Sequence, residues 1–175
     1  RWSYQPSLFG FPFVGALSRL HRFTDLFGEV AAVSCQSQFW QMEKDFYTAC
    51  LCNARLKFTS GVMGECVYGK GEIFWQSENM FAIYGEEGTL ILTPKEGQLI
   101  KGEKTEVIEV GSRRGLFAQD MRMVIENLLV GTPLYVNLEA SLAALKVGDA
   151  ARRSAENNGE QLIIPACLKY KMARY

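Results

Sequence analysis

The sequence predicts an α+β fold, with a large, mainly antiparallel open sheet and helices packed on one of its faces. Three observations lead to this prediction. An amphipathic helical pattern opens the chain, a long region with a two-residue apolar period follows, and two more helical patterns come after it. Strands that come in one run, instead of alternating with helices, are typical of an antiparallel sheet with helices segregated to one side.

The first helix is predicted at residues 13–27, where apolar residues recur at steps of three and four and Gly28 follows as a stop. These apolar residues are Phe13, Ala16, Leu17, Leu20, Phe23 and Phe27. The other side of the helix carries Arg19, Arg22 and Asp25. Because these three residues are spaced by three, their side chains line up along one side of the helix.

The strands are predicted between residues 30 and 110, where the apolar period is two. The alternation is clearest at residues 50–58, and further strands are expected at residues 30–39, 62–68, 72–75, 80–84, 89–92, 98–101 and 105–110. Glycines separate most of these runs, so the connections are short and the pairing should be mainly antiparallel.

Two helices are predicted after the strands, at residues 116–130 and 138–156. The first carries an apolar stripe, and Asn137 is placed to cap the second. The stripe consists of Phe117, Met121, Val124 and Leu128.

The charges of the 175-residue chain balance, with 19 Lys and Arg against 19 Asp and Glu. No overall field would attract nucleic acid or an anionic membrane, and no apolar run is long enough to cross a bilayer. We therefore expect neither nucleic acid nor membrane as a partner, and an anionic ligand would need a local cluster of basic residues.

The cysteines are odd in number and lack the spacing and nearby histidines of a zinc site, so we expect no metal and interpret them as reduced core residues. They are Cys35, Cys50, Cys52, Cys66 and Cys167. Reduced cysteines favour a cytoplasmic location. The chain begins at Arg1 without an export signal, and we expect an upstream part of the protein.

Motifs for dinucleotide, nucleotide-phosphate, zinc-protease or serine-hydrolase sites are missing from the sequence. We therefore expect no cofactor-binding residues in this chain. The single histidine, His21, is expected to be exposed and to pair with Asp25 four residues later.

Two basic clusters are candidate anion sites, since arginine offers a permanent charge and a planar fork suited to carboxylates. The row Arg19, Arg22 and Asp25 is either such a site or a solvated helix face with an Arg22–Asp25 ion pair. Arg113 and Arg114 precede a helix start, where the helix dipole disfavours positive charge, and they are either a second contact or a surface loop.

Aromatic residues are plentiful in and beside the strands, and we expect most of them in the core. The clearest are Phe39, Trp40, Tyr68, Phe74 and Trp75. Any that line the free face of the sheet would form a flat apolar platform for a planar conjugated ligand.

The element order, the segment GEEGTL at residues 85–90 and the helix at residues 136–145 resemble the C-terminal domain of the glucose-fructose oxidoreductase and inositol dehydrogenase family. The resemblance covers nearly the whole chain and implies a fold similar to the C-terminal domain of glyceraldehyde-3-phosphate dehydrogenase. It also implies that residues 1–175 form a substrate-binding and oligomerisation domain, possible homo-oligomers forming through the sheet. The N-terminal Rossmann domain of the NAD(P)H-dependent oxidoreductase would then be absent from this chain, and the chain alone would be inactive.

Within the family, residues 9–28, 68–74 and 111–120 are similar to the cyanobacterial branch that reduces biliverdin with NADPH. That branch implies hydride transfer to the central methine carbon of biliverdin, giving bilirubin, while a proton reaches a neighbouring pyrrole nitrogen. Members that oxidise carbohydrates carry an Asp and a His in the segment equivalent to residues 15–25. Here arginines occupy it, which disfavours sugar oxidation and suits a substrate with two propionates.

The resemblance implies a catalytic role for Arg19. Because an arginine is a poor general acid, this role would be electrostatic stabilisation and orientation. It implies substrate contacts for Arg22, Asp25, Arg113 and Arg114. Two alternatives stay open, namely a family member acting on a sugar or other small hydroxy or keto compound, and a non-catalytic oligomerisation module.

Overall fold

The computed structural model describes residues 2–5, 11–41, 43–44, 46–76, 78–111 and 114–165. Its elements confirm the α+β class. The helices are a 3₁₀ turn at Trp2–Tyr4, α1 (Pro12–Gly15), α2 (Leu17–Phe27), α3 (Leu116–Val130) and α4 (Leu138–Glu156). The strands are β1 (Val30–Trp40), β2 (Ala49–Phe58), β3 (Met63–Gly71), β4 (Phe81–Gly85), β5 (Gly88–Leu92), β6 (Gly97–Lys101), β7 (Lys104–Ile108) and β8 (Leu162–Ile163).

The chain forms two compact units. The first comprises Arg1–Phe74 and Tyr135–Tyr175, and the second is Trp75–Leu134. Each unit has its own four-stranded antiparallel sheet, so the strands predicted for one large sheet divide between two.

The first unit has strand order β3-β2-β1-β8. Every second residue of β2 is buried, and these residues form one face of the sheet. The helices α2 and α4 cover that face, and their Leu20 and Val147 pack with Leu56 and Phe58 in one core. The strand β8 is only two residues long and pairs with β1 through Ala32 and Val33. A strand this short leaves no periodic signal in the sequence, and it was not predicted.

The helix predicted at residues 13–27 is divided at Ala16, which has φ −103° and ψ 24° and belongs to neither α1 nor α2. The other two helices have the predicted bounds. Asn137 caps α4 as expected, because its side-chain oxygen accepts a hydrogen bond from the Ala140 amide at 2.8 Å.

The second unit is a meander of strand order β4-β5-β6-β7, together with α3. The apolar stripe predicted on α3 is exposed, with Phe117 the most exposed of its residues. The strand predicted at residues 72–75 is wrong, since Glu72 and Ile73 form a turn. Gly71 ends β3 with φ +114°, a conformation that redirects the chain before the apolar run is reached.

Ser154 joins α4 to the sheet in the core of the first unit. Its fully buried hydroxyl accepts from the Cys35 amide at 2.8 Å and donates to the Glu160 carbonyl at 2.6 Å. We expect Ser154→Ala to lower the free energy of unfolding by about 1 to 3 kcal/mol, because two backbone groups lose a partner. Urea denaturation would measure this, with Ser141→Ala on the same helix as the control. Equal midpoints for the two variants would contradict the prediction.

Candidate functional site

The row Arg19, Arg22 and Asp25 lies on α2, and all three residues are exposed. Leu20, between the arginines, is 1% exposed and packs into the core, so the helix is held in place while its polar side stays accessible. The predicted alignment of the three side chains along one side of a helix is present.

Arg19 stacks on an aromatic ring of the sheet. Its guanidinium carbon lies 5.2 Å from the centroid of the Tyr68 ring, within the range of a cation–π contact. Tyr68 is paired with Cys52 in the sheet and therefore shares its face, which is the one that α2 and α4 cover. We call Arg19 and Tyr68 the arginine–tyrosine stack.

Lys70 follows two residues later on β3 and faces the same side as Tyr68. Its ammonium donates to the Ser3 carbonyl and lies 4.6 Å from the Tyr4 ring centroid and 5.2 Å from that of Tyr47. Tyr47 adds hydrogen bonds to the Ser3 and Tyr4 carbonyls at 3.3 and 3.1 Å. Burial lowers the pKa of Lys70. These four residues, which we call the lysine clasp, fix the 3₁₀ turn onto the edge of the sheet.

The carboxylate of Asp25 has a partner that is distant in sequence. It accepts a hydrogen bond from the Tyr135 hydroxyl at 2.7 Å, and this bond raises the pKa of Tyr135. This hydrogen bond joins α2 to the segment before α4.

His21, four residues before Asp25, is half-buried, not exposed as predicted.

The second basic pair is described only in part. Arg114 is exposed in the second unit, two residues before α3, and Arg113 lies outside the described residues. Whether this pair and the Arg19 row serve one ligand stays a prediction.

The structure divides the candidate aromatic residues between different environments. Phe39 and Tyr68 pack against the core on the helix-covered face of the first sheet. Phe74 and Trp75 follow β3 without being part of a strand, and Trp75 is 95% exposed. The arginine–tyrosine stack therefore lies on the covered face, at the edge strand β3, and not on the free face where an aromatic platform was considered.

Four cysteines confirm the prediction of reduced core residues, since Cys35, Cys50, Cys52 and Cys66 are free and buried. Cys167 lies outside the described residues. Burial raises the pKa of Cys35 to about 12 and that of Cys66 to about 11, which keeps both thiols protonated. Hydrogen bonding from Cys52 lowers the pKa of Cys50 to about 7, but the side chain is fully buried.

Two features of the described residues concern metal and dinucleotide binding. Among them, no group of three or more His, Cys, Asp or Glu side chains could hold a metal ion. All strand pairs of both sheets are antiparallel, so these sheets contain no parallel strand–helix–strand unit of the kind that cradles a dinucleotide. Over the same residues, no helix is long and apolar enough to span a membrane.

A surface cavity of about 670 Å³ lies at the β1–β2 connection. Its lining includes Glu43, Lys44 and Tyr47 but none of the predicted site residues. Of the described residues that line the cavity, Tyr47 alone also belongs to the lysine clasp.

A family model described as "Oxidoreductase family, C-terminal alpha/beta domain" matches residues 1–162. No curated protein matches the chain at a significant level.

Among solved structures, the biliverdin reductase of Synechocystis sp. PCC 6803, in complex with biliverdin and NADP⁺, is 50% identical, with a TM-score of 0.85. The match covers 89% of this chain and 50% of that one. The aldose-aldose oxidoreductase of Caulobacter crescentus, complexed with glycerol, is 19% identical with a TM-score of 0.77, covering 93% of this chain and 50% of that one. A levoglucosan dehydrogenase in complex with NADH and levoglucosan is 17% identical with a TM-score of 0.75, covering 94% and 53%.

The last two similarities show the shared fold. This chain spans about half the length of the proteins that it matches.

Proposed function

We propose that this chain, which belongs to the glucose-fructose oxidoreductase and inositol dehydrogenase family of oxidoreductases, is the substrate-binding half of a biliverdin reductase. The observation that supports this most is the 50% identity to a biliverdin reductase complexed with biliverdin and NADP⁺. The whole enzyme would transfer a hydride from NADPH to biliverdin, giving bilirubin.

The chemistry of the candidate site suits such a substrate. Biliverdin is planar, conjugated and carries two propionates, and the site offers an exposed guanidinium stacked on an aromatic ring. Arg19 would stabilise charge that develops in the tetrapyrrole during reduction, and the proton would arrive through water or another acid. Arg22, Arg113 and Arg114 are proposed to bind the propionates, and Asp25 to hold α2 through Tyr135.

The cofactor belongs to the other half of the enzyme in this proposal. We assign NADPH to an N-terminal Rossmann domain, because the sequence of this chain has no glycine-rich dinucleotide motif and the described sheets are antiparallel. Residues 1–175 would then be the C-terminal domain, which binds substrate and contributes to oligomerisation. The reducing, cytoplasmic location expected from the sequence belongs to the same proposal.

The proposal is tested on the full-length protein by following NADPH oxidation and bilirubin formation with biliverdin, against a panel of polyols as alternative substrates. Turnover of biliverdin supports the proposal. Turnover of a polyol alone would assign the protein to sugar oxidation, and no turnover with either class would favour a non-catalytic module.

The 175-residue chain alone is expected not to bind NADPH with micromolar affinity. The phosphate-binding turn and helix start that hold a dinucleotide are missing from its sequence. Isothermal titration calorimetry would test this, with the full-length protein as the positive control. Micromolar binding of NADPH by the chain alone would contradict the assignment of the cofactor to another domain.

A further inference from the structure

Arg19 needs a support that α2 alone does not give it. Its side chain is exposed, and a long arginine side chain has many rotamers in water. The core packing of Leu20 fixes the helix but not the guanidinium. The guanidinium contacts the Tyr68 ring, whose centroid lies 5.2 Å from the guanidinium carbon.

Tyr68 is well suited to serve as that support. It is half-buried on β3, its backbone is in register with Cys52, and its ring lies 6.5 Å from the ring of the fully buried Phe13. Burial raises the pKa of Tyr68, and the nearby positive charge of Arg19 opposes this rise. The phenol is therefore neutral at ordinary pH, and its ring face stays available to a cation.

We infer that Tyr68 is a positioning residue, whose ring holds the guanidinium of Arg19 in the orientation that the substrate meets. The inference rests on the proposed catalytic role of Arg19 and concerns a residue that was assigned only to the core or to a platform. The ring face makes the contact, so the hydroxyl should matter little.

The experiment compares turnover of biliverdin by the full-length protein and its variants Tyr68→Leu, Tyr68→Phe, Arg19→Ala and the double variant Arg19→Ala/Tyr68→Leu. We expect Tyr68→Leu to lower kcat about fivefold, and Tyr68→Phe, which keeps the ring, to restore it to within about twofold of the wild type. In the Arg19→Ala background, Tyr68→Leu should cause no further loss, because the residue acts through Arg19. Tyr84→Leu, which removes an exposed ring from β4, is the matched control.

A second measurement does not depend on the substrate. Phenylglyoxal modifies arginine side chains, and peptide mass spectrometry gives the rate at Arg19 in each folded protein. We expect faster labelling in Tyr68→Leu than in the wild type or Tyr68→Phe, since the ring no longer covers one face of the guanidinium. If Tyr68→Leu lowers the melting temperature strongly, Tyr68→Met replaces it in both measurements.

The outcomes separate this inference from the proposed function. Loss of turnover in Arg19→Ala with normal turnover in Tyr68→Leu overturns the inference alone. Normal turnover in Arg19→Ala overturns the catalytic role of Arg19 and the inference with it. If the wild type does not reduce biliverdin, the proposed substrate is wrong, and the labelling decides for Tyr68: equal rates at Arg19 in all variants overturn its positioning role, and faster labelling only without the ring supports it.

Discussion

Arg19→Ala in the full-length protein is expected to lower the turnover of biliverdin at least about tenfold, equivalent to about 1.4 kcal/mol of transition-state stabilisation. The reason is that a permanent positive charge next to the developing charge of the tetrapyrrole is lost. Folding should be unaffected, because Arg19 is exposed and the neighbouring Leu20 keeps its place in the core. Steady-state kinetics with a thermal melt of each protein measure both quantities.

Arg55→Ala is the matched control for this prediction. Arg55 is also an exposed arginine of the first unit. It lies on the face of β2 that the helices do not cover, and it pairs with Glu65 at 3.5 Å. An exposed ion pair of this kind contributes little to stability, so the control should fold normally. Because Arg55 is not part of the arginine–tyrosine stack, the control should also keep wild-type turnover. Wild-type turnover in Arg19→Ala would reduce the arginine row to a solvated helix face.

Arg19→Lys separates charge from shape at the same position. Lysine keeps the positive charge but lacks the planar guanidinium that stacks on Tyr68 and forks toward a carboxylate. A rate between those of the wild type and Arg19→Ala would indicate that both properties contribute. A rate equal to that of Arg19→Ala would indicate that the stacked geometry dominates.

The sequence predicted the elements with strong periodicity well. The bounds of α3 and α4 and the cap at Asn137 agree with the structure, because helix stripes and capping side chains are local signals. The division of the strands between two sheets and the pairing of β8 with β1 depend on contacts between distant residues. The strand predicted at residues 72–75 is wrong for a local reason, since Glu72 and Ile73, which follow a glycine with positive φ, form a turn.

The candidate site was predicted as a row of charges without its surroundings. The spacing of Arg19, Arg22 and Asp25 placed them on one side of a helix, and that placement is local geometry. The partners come from elsewhere in the sequence, with Tyr68 on β3 and Tyr135 before α4. Alternation along β3 could have placed Tyr68 and Lys70 on one face, but only the packing of α2 on that face reveals which arginine meets the ring.

Gly71→Ala is the substitution from which we expect the largest loss of stability, about 2 to 5 kcal/mol in the free energy of unfolding. Gly71 has φ +114°, where a side chain costs about 1 to 2 kcal/mol. A Cβ atom there would also overlap the Thr48 carbonyl oxygen and lie 2.7 Å from the Ala49 Cβ, and overpacking adds about 1 to 3 kcal/mol. Urea denaturation of the wild type and the variant measures the difference.

The structural change caused by Gly71→Ala should begin at the edge of the first sheet, where β3 ends. Gly71 follows Lys70, whose ammonium holds the lysine clasp, and a displaced strand end would carry Lys70 away from Tyr4 and Tyr47. Gly111→Ala is the control, because a Cβ at Gly111 meets no atom within 4 Å and its φ is not positive. We expect that control to stay within about 0.5 kcal/mol of the wild type. Equal stability of the two variants would mean that the end of β3 tolerates a side chain at residue 71. The close packing of Gly71 against Thr48 would then not be needed to hold the lysine clasp in place.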